Sequence, residues 1–252
     1  MKPEPDTTVE TVKGFWESHV NNEYYTDASR ASEEYFDEIE SQRYDTHYHL
    51  REFFESHAGD SGRLLEIGCG IGVDSIQLAK CGYDVTAVDL TESALEVARD
   101  YAKLRGVEID FRRANAEQLE FDDGSFDVVY SFGVLHHTPD IEKALAEAYR
   151  VLKPGGTAFI MLYARDSLVN LVHRVFRLPY ESPRDHDDHC PVVYTFSRKG
   201  VKGLFESYRT VDVTTEYPFT YGFGPLCTKT PLAIRRSLGH AIGWHLMITA
   251  TK

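Results

Sequence analysis

The run Leu64-Leu-Glu-Ile-Gly-Cys-Gly-Ile-Gly-Val-Asp74 passes from a short apolar stretch, through three glycines at alternate positions, into a helical pattern. Arg63 to Ile67 has the character of a strand, and Val73 to Lys80 reads as a helix that begins just past the turn. Gly68, Gly70 and Gly72 let the backbone turn sharply and approach a ligand closely. Beyond them, Asp89 ends the next strand, which begins at Asp84. A carboxylate there can accept hydrogen bonds from both hydroxyls of a ribose. Glycine turn and acidic strand end together describe a nucleoside site at the carboxyl edge of a sheet.

The alternation continues downstream. Glu92 to Leu104 and Ile141 to Leu152 read as helices, the second stopped by Lys153-Pro-Gly-Gly156. Val107 to Arg112, Phe126 to Ser131 and Thr157 to Leu162 read as strands, with two more at Val211 to Glu216 and His245 to Ala250. Strands alternating with helices over short loops predict an α/β fold with a doubly wound, mostly parallel seven-stranded sheet. Upstream, Tyr35, Phe36, Ile39, Tyr44, Tyr48 and Phe53 recur at helical intervals in a charged, aromatic segment. Residues 1–60 are therefore expected to form a helical lid. Residues 61–252 are expected to form the main domain, with an irregular insertion over about 217–243.

A chain of 252 residues, 42% of them hydrophobic, can bury a sizeable core. Its apolar runs are far shorter than the roughly 20 residues that span a bilayer. The polar, acidic N-terminus lacks the features of a signal peptide, and four cysteines without paired spacing imply no disulfides. A reducing cytoplasm is the expected location. The net charge of −13 opposes a polyanionic partner, and only Lys229, Arg235 and Arg236 form a basic cluster. The expected partner is a small molecule rather than nucleic acid or membrane, and the expected state is a monomer or homodimer.

The glycine spacing also discriminates between cofactors. A dinucleotide fingerprint starting at Gly68 requires its third glycine at position 73, where this chain has Val73. Glu66 would meet a pyrophosphate unfavourably, whereas an amino acid bearing a sulfonium tolerates a nearby carboxylate.

Residues 64–72 resemble motif I of the class I S-adenosylmethionine-dependent methyltransferases. Val85-Thr-Ala-Val-Asp-Leu90 resembles that family's ribose-binding strand end, and Ala114-Asn-Ala-Glu-Gln-Leu-Glu-Phe121 its adenine-binding segment. Phe126-Asp-Val-Val-Tyr-Ser131, Val134-Leu-His-His-Thr-Pro-Asp140 and Arg150-Val-Leu-Lys-Pro-Gly-Gly156 resemble its fourth strand and the turn before its fifth. The resemblance covers residues 62–163 closely and extends more loosely to the C-terminus. It implies S-adenosyl-L-methionine as cofactor, held by Glu66, Gly68, Cys69, Gly70, Gly72, Asp89, Leu90, Asn115, Ala116, Glu117 and Ser131. Asn115 stands where the family usually has an aspartate that accepts from the adenine amino group; an amide oxygen accepts the same bond without charge.

His137, with His136 second, is the expected general base, because a hydroxyl acceptor must lose its proton and an imidazole near its ordinary pKa suits that task. Asp185-His-Asp-Asp-His-Cys190 is too crowded for a metal site and reads as a solvated loop beside the acceptor pocket. No metal is expected. Tyr24, Tyr25, Tyr163, His186, His189 and Tyr221 are the candidate substrate contacts, and Arg43 or Tyr44 is a candidate for the cofactor's carboxylate. The sequence therefore predicts methyl transfer to oxygen or nitrogen of a metabolite. A nicotinamide-dependent oxidoreductase and a catalytically silent nucleoside-binding module stand as rivals.

Overall fold

The computed structural model describes residues 7–20, 26–180, 189–220 and 223–252. Its sheet begins with β1 (Arg63–Ile67), β2 (Asp84–Asp89), β3 (Asp110–Arg113) and β4 (Phe126–Phe132). It continues with β5 (Leu152–Ala164), β6 (Thr195–Phe196), β7 (Thr210–Glu216) and β8 (His245–Thr251). The order is β3-β2-β1-β4-β5-β8-β7, with β6 beside β5. Strands β1 to β6 pair in parallel, and β8 runs antiparallel to both β5 and β7. The strand order reverses between β1 and β4, and ligands in open α/β sheets bind at the carboxyl ends of strands at such a point.

The expected mostly parallel sheet is present, with one strand more than the seven predicted. The eighth, β6, has only two residues. It pairs with Tyr163 and Ala164, past Met161, the last partner of β4 on β5. Two residues carry no readable periodicity. The Lys153-Pro-Gly-Gly156 turn also differs from expectation, because the extended chain begins at Leu152. Leu152 pairs with Phe126, the register slips, and pairing resumes at Val128 with Thr157. Pro and Gly are tolerated at such an irregularity because the ladder is already interrupted there.

Helices α4 (Val73–Cys81), α5 (Glu92–Arg105) and α6 (Ile141–Val151) cover the sheet. On one face α6 buries Ala144, Leu145 and Ala148 against Leu65, Ile67 and Val129. Towards the N-terminus the helical segment is divided into α1 (Val9–Ser18), α2 (Glu33–Thr46) and α3 (Tyr48–Ser56). His47 leaves the helical region (φ −92°, ψ 59°) and separates α2 from α3. Tyr35, Phe36, Ile39 and Tyr44 of α2 are buried, as their spacing predicts, and the Phe36 ring stacks on Tyr101 of α5 at 4.1 Å. The C-terminal part adds α7 (Leu168–Phe176), α8 (Arg198–Lys202), α9 (Pro225–Lys229) and α10 (Leu232–Ile242). A smaller cluster of Met161, Tyr163, Val169, Tyr217, Cys227 and Trp244 ties α7 and α9 to the carboxyl end of β5. No described helix is long and apolar enough to cross a membrane, and no described group of three His, Cys, Asp or Glu side chains could hold a metal ion.

Candidate cofactor and acceptor site

A cavity opens at the carboxyl ends of β1, β2 and β4, lined on one side by the glycine turn, Asp89 and Leu90. Gly68 N–H and Cys69 N–H both donate to Val88 O, at 2.7 and 3.0 Å, which pins the turn to β2. Gly68 (φ 78°) is required twice over, since a Cβ there would overlap the isopropyl group of Val134 and the left-handed backbone disfavours any side chain. Gly70 (φ 53°) differs: nothing of the protein lies within 4 Å of where its Cβ would stand. That open space faces the cavity and leaves room for a ligand against the backbone.

Asp89 accepts from Gly70 N–H at 2.8 Å on one oxygen, and from Thr91 N–H and Thr91 Oγ at 2.9 and 2.8 Å on the other. Burial raises its pKa, and these hydrogen bonds partly offset that rise. Glu66 lines the same cavity, is buried, and accepts from Ser75 Oγ. Burial and the adjacent Asp74 carboxylate hold its carboxyl well above the usual range. A cationic amino acid group placed beside it would reverse that shift.

Ala114, Asn115 and Ala116 form another part of the lining. Asn115 Oδ1 accepts from Glu117 N–H at 3.0 Å, closing a local turn; a second lone pair remains for a ligand. Gly72, where a Cβ would face Ala98 and Phe111, lies outside the lining, and two further expected contacts are placed elsewhere. Glu117 accepts from Asp140 N–H at 2.8 Å, and Ser131 Oγ donates to Ile67 O at 2.9 Å, a cross-strand clamp between β4 and β1. Neither lines the cavity.

The two histidines have different environments. His137 lines the cavity, and its Nδ1 lies 2.8 Å from Val192 O. A carbonyl accepts only, so Nδ1 carries the proton and Nε2 is the basic nitrogen of the neutral ring. The Trp16 indole meets this imidazole edge-on at 5.4 Å. His136 is fully buried, packs on the Tyr163 ring at 3.9 Å, and lies outside the cavity lining. Burial and His137 lower its pKa far below the ordinary value. Tyr163 is itself buried between His136 and Trp244, and His189 is exposed away from the cavity. Tyr24, Tyr25, His186 and Tyr221 lie outside the described residues.

Three features had no clear sequence signal. Val9, Val12 and Trp16 of α1 line the cavity, although α1 is far from every motif in sequence. Asp74, in the first turn of α4, is buried and accepts from Arg43, Tyr44 and Tyr130. An acidic residue at a helix start ordinarily signals only a favourable dipole contact. Finally, His47, His49 and His245 gather beside Phe132, with His49 Nε2 and His245 Nδ1 3.3 Å apart. Phe132 separates this cluster from the cavity that it lines itself.

A family model described as a methyltransferase domain matches residues 65–160. A ubiquinone biosynthesis O-methyltransferase of Nitrosococcus oceani is 39% identical over 110 residues, which is 43% of this chain and 47% of that protein. The chain thus spans about half the length of the curated relatives it matches. Among solved structures, a SAM-dependent methyltransferase of Thermotoga maritima, described as a possible histamine N-methyltransferase, superposes with a TM-score of 0.56 at 22% identity. The match covers 84% of this chain and 98% of that one. The [4+2]-cyclase SpnF superposes over 100% of this chain and 98% of its own, with a TM-score of 0.64 at 15% identity. Likeness at these identities speaks for the fold alone. Family match, sheet order and cavity agree: residues 65–160 match a methyltransferase domain, and the sheet around them has the fold of the S-adenosylmethionine-dependent methyltransferase structures it superposes on.

Proposed function

We propose that this protein transfers a methyl group from S-adenosyl-L-methionine to a hydroxyl oxygen of a small molecule. The observation that carries the reading is one cavity lined by Gly70, Asp89 and His137 together. When bound, S-adenosylmethionine supplies an electrophilic methyl carbon on a sulfonium. The chain's own residues do the rest. Asp89 holds the ribose hydroxyls, Asn115 and Ala116 the adenine, and Glu66 with the Gly70 backbone the amino acid end. Helix α1 acts as a lid over the site, placing Trp16 against His137 and excluding water. His137 Nε2 takes the acceptor's proton while Val192 O holds the ring by Nδ1. Holding nucleophile, carbon and sulfur in line supplies much of the acceleration.

Oxygen is favoured over nitrogen by His137, since a hydroxyl is a poor nucleophile until its proton leaves and a neutral amine needs no base. The curated relatives are O-methyltransferases by name, which supports the same choice. His137→Ala is expected to lower turnover by about 10²–10⁴-fold, with cofactor affinity nearly unchanged by calorimetry. Full turnover with an unaltered pH profile in that variant would remove His137 as the base and shift the proposal to an amine acceptor.

A further inference from the structure

Helix α7 has two unlike sides. Inward, Val169 and Asn170 are buried, Val169 within the Met161, Tyr163 and Trp244 cluster. Outward, Leu171, Val175 and Phe176 are 57%, 64% and 69% exposed, and Leu178 is 41% exposed. Among the described residues eight large apolar side chains are exposed, and these four fall within eight consecutive positions. They form a patch rather than the single scattered side chains found on any surface. Arg177 ends the helix in the left-handed region (φ 54°), and Leu178 N–H returns to His173 O at 2.9 Å. That cap folds Leu178 back onto the last turn.

The charge around the patch is opposite to that of the chain. Of 40 acidic residues in the sequence, none lies between Leu168 and Tyr180; acids resume only at Asp166 on one side and Glu181 on the other. Arg174 and Arg177 are exposed beside the apolar residues, and among the described residues neither pairs with a carboxylate. A second copy docked face to face would set these arginines against their own symmetry mates, which disfavours self-association through α7. An apolar stripe flanked by arginines is the pattern of a helix that lies in a lipid headgroup boundary. Neither the lack of a spanning helix nor the overall charge of −13 opposes this, because charges more than roughly 10 Å from the contact are screened at 0.1 M salt.

We propose that α7 docks on an anionic lipid surface, with Leu171, Val175 and Phe176 entering the boundary and Arg174 and Arg177 on lipid phosphates. Helix α7 follows the carboxyl end of β5, the sheet edge that carries the cavity, so docking turns that edge towards the bilayer. The inference is independent of the methyl-transfer reading. The attachment is peripheral and reversible, as one short helix requires.

The test is flotation of the full chain with phosphatidylcholine vesicles, with and without phosphatidylglycerol. Wild type is expected to float with the phosphatidylglycerol vesicles and to release in roughly 0.5 M salt, where charge attraction is screened within a few ångströms. Arg174→Gln with Arg177→Gln should weaken partitioning by about 10–30-fold. Leu171→Ser with Phe176→Ser should weaken it at least about tenfold. All four side chains are exposed, so the variants should melt as wild type does. No flotation of wild type, equal flotation on the two vesicle types, or undiminished flotation of both double variants overturns the proposal. So does a wild-type dimer that the serine variant converts to a monomer while vesicles are ignored, because the face then belongs to a second copy.

Discussion

Arg43 Nε–H donates to Asp74 Oδ1 at 2.7 Å, and Arg43 Nη2 donates to Asp74 Oδ2, so α2 is clamped by two hydrogen bonds onto the first turn of α4. Tyr44 and Tyr130 hydroxyls add further bonds to the same carboxylate at 3.0 and 2.9 Å. The Arg43 guanidinium also lies 5.1 Å from the centre of the Phe132 ring. The charge on Asp74 is thus fully engaged, although the side chain is buried. Both residues line the cofactor cavity, so the clamp that docks the N-terminal helices also shapes the site. Arg43, a candidate for the cofactor's carboxylate, lines the cavity while its Nε and Nη2 donate to Asp74.

Asp74→Ala leaves the Arg43 guanidinium and the Tyr130 hydroxyl buried without their acceptor, while the Tyr44 hydroxyl keeps Val73 O at 3.2 Å. Breaking a buried pair from one side costs about 3–5 kcal/mol, to be read from urea unfolding. A paired Arg43→Met, Asp74→Leu replacement should recover much of that stability, since apolar isosteres avoid the desolvation of both charges. A single-variant cost of less than about 1 kcal/mol would mark the pair as no stronger than a surface ion pair.

Gly68→Ala and Gly70→Ala separate folding from binding. At Gly68 left-handed strain of about 1–2 kcal/mol adds to overpacking of about 1–3 kcal/mol against Val134, and the loss should appear in thermal melts without ligand. At Gly70 only the strain applies, because no protein atom stands in the way. Its new methyl group occupies ligand space, so cofactor affinity should fall more than stability. Equal stability losses at the two positions would contradict this reading of the turn.

Asp89→Ala removes the carboxylate proposed to accept from the ribose hydroxyls, with about 1.5–3 kcal/mol expected for each charge-assisted bond. Asp89 also holds Gly70 N–H and Thr91, so Asp89→Asn is the sharper variant: its amide oxygen keeps part of that role. Calorimetry should rank affinity as wild type, then Asn, then Ala. Unchanged affinity in a folded Asp89→Ala variant would exclude the ribose role.

Stability should fall as pH drops below about 6.5, the ordinary histidine value. His47 is pushed down to about 3, chiefly by burial and then by Arg43. His49, His136 and His245 are also held well below the ordinary value, chiefly by burial and then by neighbouring imidazoles. A folded pKa below the unfolded one means the unfolded chain binds protons first, so stability is present above about pH 6.5 and is lost towards the folded values. Each such histidine contributes a slope of up to about 1.4 kcal/mol per pH unit. Glu66 and Asp89, raised by burial, act in the opposite direction. They are two groups against four, so the melting temperature should still drop from pH 7 to pH 5. His49→Gln with His245→Gln should flatten the decline, and an unchanged slope would show that the cluster does not control it.

Sequence by itself determined the features that depend on local order. The strand-turn-helix run at 64–74, the alternation that builds a parallel sheet, and the acidic end of β2 all follow from neighbouring residues. Backbone conformation and side-chain period act over a few positions. The same local logic placed His137, Asn115 and Ala116 at the cavity. It placed Gly72, Glu117, Ser131, His136, Tyr163 and His189 there too, because adjacency in sequence does not say which way a residue faces, and those six lie outside the lining. Tertiary structure alone decided the rest. Arg43 meets Asp74 across 31 positions and His49 meets His245 across 196. Such pairs are set by how helices close on the sheet, and no spacing along the chain encodes that closure. Burial then converts them from ordinary surface groups into the clamp and the neutral imidazole cluster, because a low-dielectric interior makes every unpaired charge costly.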